Sequence, residues 1–321
     1  MYNTNFNILF VSSGNSSLGI SPIVGNQVNS LLLHNCRVNN YLIKGKGILG
    51  YLRNVLQLRK HLQTNSYDII HAHYSFSGFV ASLAGARPLI VSLMGSDVNN
   101  SYLSRFLVKV FIVLFKWRAI IVKSDKMIYD FNNFCMVYVI PNGVNMDVFF
   151  PRNRNDCCKI LEWNPNLIHV LFAADPQRKE KNFLLASSAF ASLNVKNAVL
   201  HTLKNVPHDN VPLWFNASDV VILSSLSEGS PNVIKEAMAC NRPIVSTDVG
   251  DVKLLFDHEP GHFISGFSND DYRNNLEKAI LFSQSNYSTM GRNRLIELGL
   301  DHSAIANKII NVYNNVLKLV H

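Results

Sequence analysis

The chain has 321 residues, of which 48% are hydrophobic and 16% charged, with 16 glycines and 11 prolines. At roughly 100–200 residues per domain, this length predicts about two domains. The apolar content excludes a disordered chain, and the glycine and proline contents are too low for a fibrous one. The five cysteines lack the paired spacing of a zinc site, which predicts reduced thiols in a reducing compartment. No secretory signal is predicted from the first residues.

The formal net charge of +8 is unevenly distributed along the chain. Residues 1–150 contain 13 Lys/Arg and 5 Asp/Glu, a net of +8, whereas residues 151–321 contain 17 of each kind. This asymmetry predicts an anionic partner for the first half, namely a nucleic acid, a membrane lipid or a phosphorylated substrate. A basic surface without any such partner is the alternative explanation.

Short apolar segments alternate with helical segments along the chain, which is typical of parallel sheets covered by helices. In chain order, the first series of predicted strands is Asn7–Ser12, Asp68–His71, Pro88–Leu93, Ala119–Lys123 and Val137–Ile140, with helices over Gly25–Leu33 and Gly50–Thr64. The second series is His169–Ala173, Ala198–Thr202, Asp219–Leu223 and Pro243–Ser246. Two such series predict two Rossmann-like domains, joined in the Pro-, Asn- and Gly-rich segment Pro141–Asp156.

The most apolar stretch of the chain, Leu103–Val122, is not predicted to span a membrane. It is interrupted by four basic residues, Arg105, Lys109, Lys116 and Arg118, and charges inside an apolar segment oppose insertion. Apolar, aromatic and basic residues interleaved in this way favour a helix over residues 103–118 that lies in a membrane interface. A helix that packs on its own core is the alternative. Ser303–Val320 has apolar residues at helical spacing, which predicts a terminal amphipathic helix.

The segment Asp219–Gly250 combines a buried strand, a polar turn and a helix. The helix is predicted to begin near Pro231, a residue suited to the first helical position. Its free N–H groups, next to Gly229 and Ser230, form an anion site. Glu228 lies in the turn and Glu236 eight residues later, so both carboxylates are predicted to flank one pocket above the strand ends. For either acid alone, a capping or solvated role is the simpler explanation.

The sequence SEGSPNVIKEAMACNRPIVSTDVG within this segment resembles the retaining glycosyltransferases of family four, which share the GT-B fold. Their hallmark is Glu-x7-Glu in the context E-G-x-P-x-x-x-x-E-A-M-A, and Asn241 stands where the family usually has glycine. Further resemblances are Gly19–Pro22 to the family's glycine loop, Asp68–His73 to its D-[VI]-[VI]-H-x-H strand end, Pro141–Asn145 to P-N-G-V-D and Asn216–Val221 to N-A-[AS]-D-V-x. The resemblance therefore extends over most of the chain.

The resemblance implies an α/β protein of GT-B type, with two Rossmann-like domains whose parallel sheets face across a cleft. Residues 1–148 would form the acceptor-binding domain and residues 149–302 the nucleotide-sugar-binding domain, with a terminal helix at 303–321 crossing back to the first. The implied activity is a retaining transfer of a sugar from a nucleotide-sugar to a glycan or lipid-linked glycan, as in cell-surface polysaccharide or lipopolysaccharide synthesis. No Asp-x-Asp motif is present, so no metal and no cofactor is expected.

The resemblance also implies roles for individual residues. The catalytic set is His73, Arg178, Lys181 and Glu228. The donor-binding set is Gly19, Gly229, Ser230, Pro231, Asn232 and Glu236, and Asp97 is placed on the acceptor side. Breaking a sugar–phosphate bond develops negative charge on the diphosphate, which Lys181, Arg178 and helix-terminal amides would stabilise. Glu236 would bind the ribose hydroxyls, and Glu228 and His73 would contact the donor sugar. The family's Gly-Arg pair is absent here, and Met94 replaces the usual histidine before Asp97.

The expected location is the cytoplasm, on the inner face of the cytoplasmic membrane, with peripheral contact to anionic lipid through residues 103–118. No nucleic-acid partner is expected, because the chain has no helix-turn-helix, RNA-binding or zinc-finger pattern. Three alternatives remain open. The first is a nucleotide-sugar epimerase of the same fold, the second a basic nucleic-acid- or membrane-binding protein without catalysis, and the third a degenerate transferase that binds its donor only.

Overall fold

The computed structural model describes residues 5–15, 19–45, 47–95, 102–286 and 288–318. The chain divides into two compact units, the first formed by Met1–Gly143 with His302–His321 and the second by Val144–Asp301. Over these described ranges, each unit contains one sheet, and every strand pair in it is parallel. The predicted α/β class with two Rossmann-like series is therefore confirmed.

The first unit has a sheet with the strand order β2-β1-β3-β4-β5-β6. Its strands are β1 (Asn7–Ser13), β2 (Arg37–Ile43), β3 (Ile69–His73), β4 (Leu89–Ser92), β5 (Ala119–Val122) and β6 (Met136–Val139). Its helices are α1 (Pro22–Leu32), α2 (Gly47–Thr64), α3 (Ser75–Ala84), α4 (Tyr102–Phe115) and the last helix of the chain, α12 (His302–Lys318).

The two faces of this sheet are covered by different helices. Side chains alternate across a strand, so Leu9 and Val11 of β1 point to one face and Phe10 to the other. Leu9 and Val11 belong to an apolar cluster that includes residues of α2, α3 and α4. On the opposite face, α12 places Tyr313 against Phe6 and His71 and packs beside α1. The sheet is thus buried on both sides, as parallel sheets require.

The second unit has a sheet with the strand order β11-β10-β9-β7-β8. Its strands are β7 (Ile168–Phe172), β8 (Ala198–Thr202), β9 (Val220–Leu223), β10 (Ile244–Thr247) and β11 (His262–Ser265). Its helices are α5 (Arg154–Ile160), α6 (Phe183–Ala191), α7 (Val211–Ala217), α8 (Asn232–Ala239), α9 (Val252–Phe256), α10 (Asn269–Asn286) and α11 (Gly291–Glu297).

Two strands lie where the sequence analysis placed none, β2 and β11. Both are edge strands of their sheets. Strand β2 has the sequence RVNNYLI, and only its last residue is fully buried. With Arg37, Asn39 and Asn40 among its residues, β2 lacks the continuous apolar run by which the other strands were found, including the edge strands β6 and β8.

The stretch Leu103–Val122 forms two elements. Helix α4 ends at Phe115, and Ala119–Val122 is the buried strand β5, so the predicted interface helix over residues 103–118 is shorter than expected. Over the part of the chain that is described, no helix combines the length and the apolar character needed to cross a membrane. All five cysteines lie in that part, and none of them forms a disulfide.

Helix α12 is tied to the first sheet by a buried hydrogen bond. The Tyr313 hydroxyl lies 2.7 Å from Nδ1 of His71, and Nε2 of His71 lies 2.8 Å from the Ser92 hydroxyl. Burial lowers the pKa of His71 to about 3, with a smaller contribution from the charge of Lys123, so the imidazole is neutral. A neutral imidazole has one donor and one acceptor, and these two hydroxyls satisfy both.

Replacing Tyr313 by Phe should therefore leave one buried ring nitrogen of His71 without a partner. We expect the free energy of unfolding to fall by about 1–3 kcal/mol, measured by denaturant unfolding. The control is Tyr102→Phe, because Tyr102 is 85% exposed and its change should have no measurable effect. Equal stability of the Tyr313→Phe and Tyr102→Phe variants would contradict this account of how α12 is held.

Candidate active site

The strand order of the second sheet creates a crevice between β7 and β9. Strand β7 is followed in sequence by β8 on one side, whereas β9 lies on its other side. The chain therefore leaves the ends of β7 and β9 in opposite directions. Open α/β sheets bind their ligands at such a switch point, beyond the carboxyl ends of the strands. The loops that follow β7 and β9 contain Lys181 and Glu228.

The ammonium of Lys181 contacts the carboxylate of Glu228 across this crevice. The Ser225 hydroxyl donates a second hydrogen bond of 2.8 Å to the same carboxylate oxygen. The two charged side chains are only 10% and 18% exposed, so solvent screens their attraction weakly. The neighbouring Ser224 hydroxyl donates to the carbonyls of Lys181 and Asn182, which fixes the loop after β7 against the end of β9.

The turn between β9 and α8 is packed against the loop that follows β10. Gly250 has a φ of +61°, and a Cβ atom on it would lie 2.5 Å from the carbonyl oxygen of Gly229. Glycine is therefore required both by the backbone conformation and by the close approach. Pro231 is the N-cap residue of α8 and Asn232 its first helical residue, one position later than predicted. Amides at the start of α8, next to Gly229 and Ser230, lie at the same sheet edge as Glu228.

Glu236 lies on α8 and contacts a residue from a third loop. Its carboxylate is 3.5 Å from Nε2 of His208, which follows β8. The hydrogen bond to Glu236 raises the pKa of His208, and burial opposes this shift. The ring of His208 also packs edge-on against Phe149 at 5.6 Å. Glu236 and His208 are both largely buried, and sequence reasoning did not single out His208.

Lys235 is a second residue that the sequence analysis did not single out. Its side chain is fully buried, and its ammonium donates a hydrogen bond of 3.0 Å to the Ser230 hydroxyl. Burial lowers the pKa of Lys235 to about 8, while the carboxylates of Asp251 and Glu236 raise it. A buried cation next to Ser230 adds positive potential to the start of α8. Nothing in the sequence pattern distinguishes this lysine from a solvated one.

Arg178 is not brought to the Lys181–Glu228 contact. Its guanidinium pairs with Glu180 at 2.6 Å, and both side chains are more than half exposed. The loop after β7 turns between them, with the Lys181 amide donating to the Arg178 carbonyl. Arg178 therefore lies in the right loop but on its solvent side, and its catalytic role stays a prediction.

The first sheet has its own switch point, between β1 and β3, where Gly19 and His73 lie in the following loop and at the strand end. His73 is 2% exposed, stacks on His71 and packs against the tilted ring of Phe10, with ring centroids 4.4 Å away in each case. Within the described residues, neither ring nitrogen of His73 has a hydrogen-bond partner. Burial lowers the pKa of His73 well below its usual value, helped by His71 and Lys123, so the ring is neutral.

The backbone at this switch point is strained. Tyr74, directly after His73, has a φ of +84°, which is unusual for a bulky residue and is often found at functional sites. Gly19 also has a positive φ, of +74°, which glycine adopts without cost. Asp97 lies outside the described residues. Among the residues that are described, no group of three or more His, Cys, Asp and Glu side chains is arranged to hold a metal ion.

Other residues of the motifs serve the fold. Asn241, in place of the family's glycine, has a φ of +54° directly after α8, a conformation that asparagine tolerates better than most residues. The side chain of Asn216 accepts from the Arg152 amide at 2.8 Å and donates to the Phe150 carbonyl at 3.0 Å. Asp219 pairs with Arg154 at 2.7 Å. These residues fix the start of the second unit.

Two family models match the chain, one in each unit. The model described as Glycosyltransferase Family 4 matches residues 25–148, and the model described as Glycosyl transferases group 1 matches residues 161–281. An uncharacterized glycosyltransferase of Methanocaldococcus jannaschii is 28% identical over 70% of this chain and 68% of its own length. A D-inositol 3-phosphate glycosyltransferase of Arthrobacter sp. is 26% identical over 74% of this chain and 67% of its own length.

A third relative is a UDP-Gal:alpha-D-GlcNAc-diphosphoundecaprenol alpha-1,3-galactosyltransferase of Escherichia coli, 25% identical over 70% of this chain and 68% of its own length. Among solved structures, sucrose-phosphate synthase from Thermosynechococcus elongatus superposes with a TM-score of 0.80 at 14% identity, covering 98% of this chain and all of that one. The Anabaena protein HepE, in complex with UDP and glucose, superposes with a TM-score of 0.75 at 16% identity, covering 97% of this chain and all of that one.

The fold and these relationships define a glycosyltransferase with the GT-B fold. The chain belongs to glycosyltransferase family four, as the resemblance of its motifs indicated.

The contact between His208 and Glu236 makes a pH-dependent prediction. A raised pKa means that the pair stabilises the second unit fully below pH 6.5, and that this contribution is lost as the pH rises through the raised pKa. In the Glu236→Gln variant the pKa of His208 should fall back toward 6.5, as measured by NMR titration of the imidazole. His201 is the internal control, since burial and His169 lower its pKa to about 4. An unchanged His208 titration would contradict the assignment.

Proposed function

We propose that the protein is a retaining, metal-independent transferase that moves a sugar from a nucleotide-sugar to a glycan or lipid-linked glycan acceptor. The second unit would bind the donor and the first unit the acceptor. The observation that carries the donor site is the cluster of Lys181, Glu228 and Ser225 at the β7–β9 switch point, beside the start of α8. The structural neighbour in complex with UDP and glucose supports a nucleotide-sugar as donor.

The chemistry of the leaving group favours this arrangement. Departure of the diphosphate develops negative charge, which a preorganised cation and helix-terminal amides stabilise without reorganisation. Lys181 would supply the cation and α8 the amides, with Lys235 adding to the potential from below the turn. Lys181 is held in place by Glu228, so it would not need to be ordered during the reaction. The acceptor hydroxyl would attack from the face that the diphosphate leaves, which retains the anomeric configuration.

The two glutamates would have separate roles. Glu236, on the first turns of α8, would accept hydrogen bonds from the ribose hydroxyls. Glu228, between Lys181 and the α8 amides, would contact the donor sugar. His73 would act from the first unit as a neutral imidazole. The galactosyltransferase relative, whose name specifies a diphosphoundecaprenol-linked acceptor, supports a lipid-linked glycan as acceptor.

The donor site is tested by thermal shift with UDP, GDP, ADP and CMP and their sugars, without metal. One nucleotide class should raise the Tm of the wild type by about 5–10 °C at a hundredfold excess over Kd. Glu236→Ala should lose most of that shift, because the ribose contact is removed. Glu297→Ala is the matched control, since Glu297 is 66% exposed on α11.

The outcome against the proposal is equally plain. If none of the nucleotides or nucleotide-sugars raises the Tm of the wild type, the second unit does not bind a donor. If the shift appears only with a divalent cation and is lost in EDTA, metal independence is wrong.

We also propose that helix α4 contacts an anionic membrane, as on the cytoplasmic leaflet. Its buried side is formed by Val108 and Ile112. Its outer side is apolar and carries the exposed residues Tyr102, Leu103, Phe106, Leu107, Val113 and Leu114. Lys116 and Arg118 follow at its C-terminal end and are exposed. An apolar outer face flanked by basic residues suits an interfacial helix, with about 1 kcal/mol per basic residue near the surface.

Vesicle co-sedimentation tests this contact. Leu103→Gln with Phe106→Gln should reduce binding to phosphatidylglycerol vesicles at least tenfold, because two apolar side chains no longer enter the interface. The matched control is Leu184→Gln, since Leu184 is 77% exposed on α6 of the second unit. Binding that is unchanged in the double variant, or equally reduced in the control, would contradict a membrane role for α4.

A further inference from the structure

An apolar groove of about 350 Å³ lies between α2 and α3 in the first unit. Its walls are formed by Tyr51, Leu52 and Val55 of α2 and by Phe76, Phe79 and Leu83 of α3. Leu52 and Phe76 are each about half exposed, so the groove is open to solvent along its length. A water-filled apolar groove of this size is unfavourable when empty and favours an apolar ligand.

The groove begins at the edge of the sheet that carries the switch point. Helix α2 starts at Gly47, soon after β2, and α3 starts at Ser75, directly after β3. Strands β2 and β3 flank β1, so both helices begin at the carboxyl edge where His73 lies. From Phe76 to Leu83 the groove follows α3 for roughly 10 Å. A chain lying in it would present its polar end to the carboxyl edge of the sheet.

The charge around the groove suits an anionic amphiphile. The chain contains no Asp or Glu before Asp68, and the first unit has 15 Lys/Arg against 4 Asp/Glu. The mouth of the groove is taken as its end at Gly47, the lining residue at the start of α2. Lys44 precedes Gly47 by three residues and is exposed, and its carbonyl accepts a hydrogen bond from Asn54 of α2 at 2.8 Å. At the far end, Arg59 of α2 donates to the Leu83 carbonyl at 2.7 Å, which ties the two helices together.

We propose that this groove binds the hydrocarbon chain of a lipid-linked acceptor, with the acceptor phosphate near Lys44 and the sugar at the β1–β3 switch point. The proposal rests on the proposed function, since it specifies the acceptor of that reaction. A soluble glycan would use neither the apolar walls nor the basic mouth. The site is separate from the outer face of α4, because its walls belong to α2 and α3.

The test uses two simple probes, dodecyl phosphate and butyl phosphate, below their aggregation concentrations in isothermal titration calorimetry. Each buried methylene contributes roughly fourfold in affinity. Dodecyl phosphate should therefore bind at least a hundredfold more tightly than butyl phosphate. Leu52→Gln should lower the affinity for dodecyl phosphate at least fivefold. Leu56→Gln is the matched control, because Leu56 lies one turn along the same helix, is 63% exposed and does not line the groove.

Three results would overturn the proposal. The first is equal affinity for the two phosphates, and the second is no binding of dodecyl phosphate. The third is an equal loss of affinity for dodecyl phosphate in Leu52→Gln and Leu56→Gln, which would indicate a general membrane-facing surface. The nucleotide thermal shift of the second unit, measured on the same variants, verifies their folding and reports the donor site independently. If dodecyl phosphate does not bind but nucleotides still raise the Tm, the proposal for the lipid chain is wrong and the proposed transferase function stands. If dodecyl phosphate binds but no nucleotide raises the Tm, the proposed transferase function is wrong.

Discussion

The contact between Lys181 and Glu228 is the interaction on which the candidate active site of the second unit depends. It joins the loops that follow β7 and β9, the two strands at which the second sheet changes direction. Both charges are largely removed from water, so each needs the other, and Ser225 adds a hydrogen bond to the carboxylate. Removing one partner would leave the other charge buried and unpaired, which costs far more than an exposed pair. The position of the turn before α8 follows from this contact.

The sequence was sufficient for the central strands, because buried parallel strands are continuous apolar runs. The predicted central strands agree with the structure within one or two residues, and the predicted edge strand β8 agrees at both ends. Two of the four edge strands, β2 and β11, were missed, since a half-exposed edge does not require a continuous apolar run. Helix α4 was predicted too long, because the buried strand β5 follows it almost without a polar break.

The candidate site could be predicted only where its residues are local in sequence. Glu228 lies in the turn before α8 and Glu236 is the fifth residue of that helix, so their short separation along the chain keeps both near the start of α8. His208 and Lys235 were missed, because the meeting of His208 with Glu236 depends on two strands being neighbours, and the burial of Lys235 depends on tertiary packing. Arg178 shows the reverse case, since its place in the loop was predicted but its pairing with Glu180 was not.

The two units differ in net charge, which fits the proposal that each of them binds a different substrate. By the boundaries of the structure, the first unit carries 15 Lys/Arg against 4 Asp/Glu and the second 15 against 18. The excess of positive charge therefore belongs entirely to the unit with the apolar faces of α2, α3 and α4. The candidate site of the second unit contains a few placed cations and helix-terminal amides instead of a general positive surface.

The most direct measurement of the central claim is a double-mutant cycle on Lys181 and Glu228, read out as UDP affinity by calorimetry, or as affinity for whichever nucleotide gives the largest thermal shift. Lys181→Met should weaken binding at least tenfold, since a charged hydrogen bond is worth about 1.5–3 kcal/mol. Glu228→Gln should have a smaller effect in the Lys181→Met background than alone, because the two side chains act as one unit. The control is Lys179→Met, an exposed lysine of the same loop. Unchanged affinity in Lys181→Met, or strictly additive effects of the two changes, would contradict the account.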